Sequence, residues 1–216
     1  MNNLNLEYKR KKHEIKKRLK EFRNLHKARD EDIFSELCFC ILTPQAKAIY
    51  CNRAVKELKN HGLLFKGCAN LIRMKLKGVR FPNNKAAYLI AARKFFCAKG
   101  ESASGEKSMD LRNRLNKDDV FKTRDWLVKN IKGLGYKEAS HFLRNIGLGK
   151  DMAILDVHIL RNLKKHGVIR KIPATISKKT YLELEEKMRK FAQRVKIPLR
   201  ELDLLFWSNQ TGFVFK

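Results

Sequence analysis

The chain has 216 residues, with 49 Lys and Arg against 22 Asp and Glu, a formal charge of +27, and 44% hydrophobic residues. That length fits one large domain or two small subdomains with apolar material for a core, while no apolar run approaches the roughly 18 residues of a membrane span and the charged N-terminus has no secretory signal pattern. So large an excess of one sign calls for a polyanionic partner, nucleic acid ahead of an anionic membrane surface.

The elements expected are almost entirely helical. Residues 7–28 are dense in Lys and Arg, with Ile15, Leu19 and Phe22 at helical spacing, which predicts a surface helix with one buried stripe. A second helix is expected over 31–42. Pro44 ends it or opens a third helix over 45–60, which closes near His61-Gly62. A short helix near 68–75 follows. Gly78 to Asn84 reads as a loop, with Pro82 near the start of a helix that runs to Phe96. Residues 99–108 (KGESASGEKS) have the composition of a surface loop. Helices near 108–116, 118–131, 136–146, 156–165 and 177–196 complete the series. Tyr181, Leu184, Met188, Phe191 and Val195 line one face of the last of these. Pro198 opens a final helix that Gly212 ends. No alternation marks a sheet, so the fold class is all-α. Two lobes are expected: one of residues 1–44 plus 141–216, built from both ends of the chain, and a central one of residues 45–140. A ligand site would lie in the cleft between lobes. The five cysteines, Cys38, Cys40, Cys51, Cys68 and Cys97, form no CxxC pair, which argues against a zinc ribbon and for buried free thiols in a reducing cytosol.

The most informative stretch is IKGLGYKEASHFL, residues 131–143, followed by AILDVHIL, residues 153–160. Gly133 and Gly135 sit between two helical patterns, the second carried by Ala139, Phe142, Leu143 and Ile146. A tight turn there needs φ > 0, which glycine tolerates. Bare amides at the start of the following helix, together with its dipole, make an anion site, and on so basic a chain the anion is a nucleic-acid phosphate. The whole pattern over 131–146 is a helix-hairpin-helix. Lys137 falls in the first turn of the second helix, where the dipole disfavours a charged amine. A neutral lysine is a nucleophile suited to Schiff-base chemistry. Asp156 precedes the helical run VHILRNL. It fits a helix N-cap and equally a carboxylate that stabilises positive charge on a sugar ring or helps deprotonate the amine. His158 is a candidate phosphate contact.

These residues resemble the helix-hairpin-helix DNA glycosylases, and within them the type-2 8-oxoguanine DNA glycosylase/AP lyases. The resemblance extends over nearly the whole chain. It rests on KGLGYKEASHFLRNIG and LDVHILRNL, on CFCILTPQAKA and VRFPNNKAAYLI, and on the ending WSNQTGFVFK. It implies a two-lobed helical fold with the active site in the inter-lobe cleft. It implies that Lys137 attacks the sugar C1′, expels the base and forms an imine, with Asp156 as its carboxylate partner. By the same resemblance Lys216 recognises the damaged guanine, through its ammonium or its terminal carboxylate. Trp207 is a candidate for stacking on the extruded base, and Gln45, at the helix start of LTPQ, for filling the gap the flipped nucleotide leaves. The apolar FVF before Lys216 suggests a tail docked in the core. The partner is double-stranded DNA containing 8-oxoguanine or abasic sites, bound by a monomer in the cytoplasm of a prokaryote, associated with the nucleoid. An amine nucleophile needs no metal, and no cofactor is implied. Two rivals stay open: a related glycosylase for other oxidised bases, and a non-catalytic hairpin module that only holds DNA.

Overall fold

The structure, a computed structural model, describes residues 2–97 and 109–216. The expected surface loop at 99–108 lies outside the described residues. Among the described residues there is no β-strand, only an isolated antiparallel bridge between Cys97 and Met109. The chain forms two compact units, residues Met1–His26 with Leu143–Lys216, and Lys27–Phe142.

The first unit is built on α1 (Asn2–Leu25), α9 (Val157–Lys165), α10 (Lys178–Val195) and α11 (Leu199–Thr211). The charged α1 buries a single stripe, Leu4, Tyr8, Ile15, Leu19 and Phe22, as helical periodicity requires. It packs on α11, and α11 also carries α9 and α10. Polar contacts zip the α1–α11 seam: the Tyr8 hydroxyl donates to Glu201 Oε2 at 2.7 Å, and Lys11 Nζ donates to Ser208 Oγ at 3.0 Å. Ser177 caps α10 by accepting from the Thr180 amide, and Gly212 ends α11 in the left-handed region at φ 88°.

The second unit holds α2 (Asp30–Leu42), α3 (Ala48–Asn60), α4 (Leu63–Lys66), α5 (Ala69–Lys75), α6 (Pro82–Phe96), α7 (Val120–Asn130) and the start of α8 (Tyr136–Asn145), which the division cuts after Phe142. Three acids, Asp30, Glu31 and Asp32, open α2 and suit its dipole. From Ile33 to Leu42 every residue of α2 is buried, so it is a core helix rather than an amphipathic one. It packs on α3 and α6, and this is why it joins the central unit, whereas the sequence reading left residues up to 44 with the chain ends.

Three expectations about elements need correction. The third helix starts at Ala48 and not at residue 45, because the chain first makes a turn in which Gln45 takes φ 54°. The short helix α4 was not foreseen. Over 108–116 the only helical piece is the 3₁₀ turn Arg112–Arg114. The amides that would start a helix there are engaged elsewhere: Asp110 donates to the Phe96 carbonyl at 2.8 Å, and Leu111 and Arg112 donate to Asp30 Oδ2 at 2.8 and 3.0 Å. Among the cysteines, Cys38, Cys40 and Cys51 are buried free thiols as expected, but Cys68 is exposed and Cys97 half-buried.

Candidate active site

The hairpin joins α7 to α8. Ile131 and Leu134 are buried at its base, and the Leu134 amide donates to the Ile131 carbonyl. Gly133 sits at φ 88°, in the region that favours glycine. Its α-carbon is also crowded: an added Cβ would lie 2.7 Å from Tyr88 Cδ2 and 3.4 Å from Ile41 Cγ2. Gly135 differs from the sequence reading on two counts. Its φ is not positive, and its amide is not bare, for it donates to Glu138 Oε2 at 3.2 Å. Glu138, three residues into the turn, reaches back to the helix start as the acid of a capping box does.

The same carboxylate engages Lys137. Lys137 Nζ lies 2.9 Å from Glu138 Oε1, with the lysine side chain 24% exposed and that of Glu138 10% exposed. One buried acid therefore ties the hairpin amide to the amine. Sequence reasoning passed over Glu138, although its spacing from Gly135 was the available signal. It passed over Arg124 too, in a chain where most basic residues are solvated. Arg124 is 2% exposed, donates to Ser140 Oγ at 3.1 Å, and stacks over the rings of Phe121 and Tyr136, so it braces α7 against the helix that carries Lys137.

Gln45, in the same unit, is exposed at the crest of the turn between α2 and α3. Under that turn lies Lys85, from the first turn of α6. It is 3% exposed, and its Nζ donates to the carbonyls of Leu42 and Pro44, both at 2.7 Å. Burial pushes the pKa of Lys85 down, and the charge of Lys137 acts in the same direction while Cys51 and Glu138 oppose it. The Cys51 thiol donates to the Leu42 carbonyl at 3.2 Å, and burial raises its pKa to about 11.

The remaining candidates belong to the first unit. Asp156 caps α9: its Oδ1 accepts from the Ile159 amide at 2.8 Å, and the residue is half-buried. Beneath it, the fully buried Asp203 accepts from the Ile154 amide at 3.3 Å and pairs with Arg144 at 3.0 Å. Burial raises the Asp203 carboxyl to about 6 against the pull of Arg144, and the charge of Asp156 pushes the same way as burial. Asp203 lies on the apolar face of α11 and was not singled out from sequence. His158 is half-buried and meets Trp207 edge-on, with ring centroids 6.5 Å apart. Trp207 is half-buried as well, and the tail folds back over it: Phe215 stacks at 6.0 Å and Phe213 packs edge-on at 5.6 Å. The Val214 amide donates to Glu14 Oε1 at 3.3 Å, and Val214 is the one tail residue fully buried, Phe213 being 45% exposed. Lys216 ends this docked tail, half-buried.

Comparison with known proteins finds relatives across nearly the whole chain. The family described as 8-oxoguanine DNA glycosylase matches residues 15–197. An 8-oxoguanine DNA glycosylase/AP lyase of Fusobacterium nucleatum is 48% identical over 210 residues, covering 97% of this chain and 94% of its own. One from Methanocaldococcus jannaschii is 41% identical over 202 residues, covering 94% and 91%. A crystal structure of the Methanocaldococcus jannaschii 8-oxoguanine glycosylase/lyase in complex with a 15mer DNA containing 8-oxoguanine superposes with a TM-score of 0.86 at 36% identity, over 100% of both chains. The Thermotoga maritima 8-oxoguanine DNA glycosylase superposes with a TM-score of 0.86 at 37% identity, over 100% of this chain and 97% of that one. With the family matched over most of its length and relatives this similar across nearly all of it, the chain belongs to the 8-oxoguanine DNA glycosylase family.

Proposed function

We propose that this protein excises 8-oxoguanine from duplex DNA and cleaves the strand at the abasic site it has made. The observation that carries the reading is the lysine amine of Lys137, held in the first helical turn beyond a glycine hairpin in a chain of this family. In the reaction, the neutral amine of Lys137 attacks C1′ of the extruded nucleotide and the C1′–base bond breaks. The base leaves with a proton; the C1′–O4′ bond then breaks as the amine nitrogen forms a C=N bond to C1′, and its proton passes to O4′, which gives the ring-opened imine. Removal of a C2′ proton then expels the 3′ phosphate by β-elimination. Asp156 is the carboxylate of the reaction: Oδ1 is engaged in capping α9, which leaves Oδ2 to face positive charge. Rotating the base out of the stack costs a few kcal/mol, and phosphate contacts fix the protein on the duplex without reading sequence.

Gly133 and Gly135 contribute the turn that meets the phosphate strand, His158 a phosphate contact, and Gln45 the group that fills the vacated stack. Trp207 and Lys216 read the damaged base. The docking of the tail on Trp207 supports that assignment, since a frayed end could not discriminate bases that differ by few atoms. The protein works as a monomer on the chromosome, in the cytoplasm. The test is strand scission on an end-labelled duplex with a single 8-oxoguanine, beside the same duplex with guanine. A nick at the lesion alone is expected. A protein that retains both duplexes and cuts neither is a hairpin module that only holds DNA.

A further inference from the structure

Among the described residues only three other than glycine have a positive φ: Gln45 at 54°, Phe81 at 56° and Lys196 at 57°. Such a backbone costs of order 1–3 kcal/mol and persists only where the surroundings over-determine it. Two of the three are tied to one residue, Phe81 through that residue's backbone amide and the turn at Gln45 through its side chain. The amide of Lys85 donates to the Phe81 carbonyl at 3.0 Å, and its ammonium donates to the Leu42 and Pro44 carbonyls, one on each side of Thr43 and immediately before Gln45. The Leu42 carbonyl ends α2 and that of Pro44 lies just beyond its cap, where no further helical amide follows to satisfy them. A charged group at a helix C-terminus complements the dipole, and a lysine this deeply buried must find acceptors or be neutralised. The neighbours complete the trap: Thr43 Oγ1 donates to the Cys40 carbonyl at 2.8 Å and Cys51 to that of Leu42. The clamp acts on the backbone of the turn, above which the Gln45 side chain is exposed.

We propose that Lys85 is a positioning residue for damaged-base extrusion: from beneath the turn after α2 it fixes the strained backbone that presents the Gln45 side chain to the duplex. The inference rests on the glycosylase reading and on Gln45 as the gap-filling group. A lysine with this role matters when a base must leave the stack and be replaced there. It matters little when the sugar is already abasic and single-stranded.

The experiment compares two substrates in single turnover: a duplex with one 8-oxoguanine, and a single strand with a preformed abasic site. Lys85→Met keeps the volume and removes the donors. Excision from the duplex should fall about ten- to a hundredfold, the range a small misplacement of a reacting group produces, with abasic-strand scission within about threefold of the parent protein. A double-mutant cycle with Gln45→Ala gives a second readout. If Lys85 acts through Gln45, the duplex losses are non-additive and the double variant is no worse than the poorer single one. Equal loss on both substrates, or duplex losses that multiply, overturns the proposal. Should Lys85→Met not fold, Pro44→Gly loosens the same turn from the surface and carries the same two-substrate comparison with the same reading of its outcomes. An unmodified protein that cuts neither substrate would instead refute the glycosylase reading itself.

Discussion

Gly133 is the residue on which the hairpin depends most simply. Its φ of 88° penalises any side chain, and Tyr88 stands where the Cβ would go. Gly133→Ala should therefore destabilise the protein by about 1–3 kcal/mol, which for a chain of this size lowers Tm by about 2–4 °C per kcal/mol. Thermal unfolding followed by circular dichroism measures this, and an unchanged Tm would contradict it. Gly135 is expected to be more tolerant, since the atom a Cβ would meet there is the tip of Glu138. Spacing alone made both glycines visible and could not tell them apart, because the difference lies in φ and in what packs against each. Lys137 and Asp156 were legible as candidates from their places beside the hairpin and before a helix. Glu138, Lys85 and Arg124 were not, since nothing local separates a buried, satisfied charge from the dozens of solvated ones around it.

Among the elements, the helices read best where one stripe is apolar, as in α1 and α10, and worst where a partner distant in sequence takes the local amides. Residues 110–112 spend theirs on Phe96 and Asp30 and so form only one 3₁₀ turn. The turn after α2 delays α3 by three residues, and its carbonyls go to Lys85, 41 and 43 residues away in sequence. Helix α11 carries a polar anchor on its apolar face, Asp203, which joins it to Arg144 of α8 and to the backbone just before Asp156. Its carboxyl titrates near 6 in the folded protein against an ordinary value of 3.8. The folded state thus holds the proton more tightly than the unfolded chain, so this group's contribution to stability is full below about pH 4 and is lost as pH rises through 6. Urea unfolding between pH 4 and 7 should show the stability gap between the parent protein and Asp203→Asn narrowing as pH rises. A gap that widens would mean that Arg144 outweighs burial and holds the carboxyl below its ordinary value.

At the scale of the whole molecule, the excess of 27 positive charges suits a protein that binds the phosphates of duplex DNA. No described helix is long and apolar enough to cross a membrane. The central claim concerns one nitrogen. If Lys137 is the nucleophile, the reaction passes through an imine between protein and sugar. Borohydride added during turnover on the 8-oxoguanine duplex reduces that imine to a stable amine. The account predicts a covalent protein–DNA adduct that maps by peptide mass to Lys137 and is lost in Lys137→Gln. An adduct that persists in Lys137→Gln, or maps to another lysine, would contradict it.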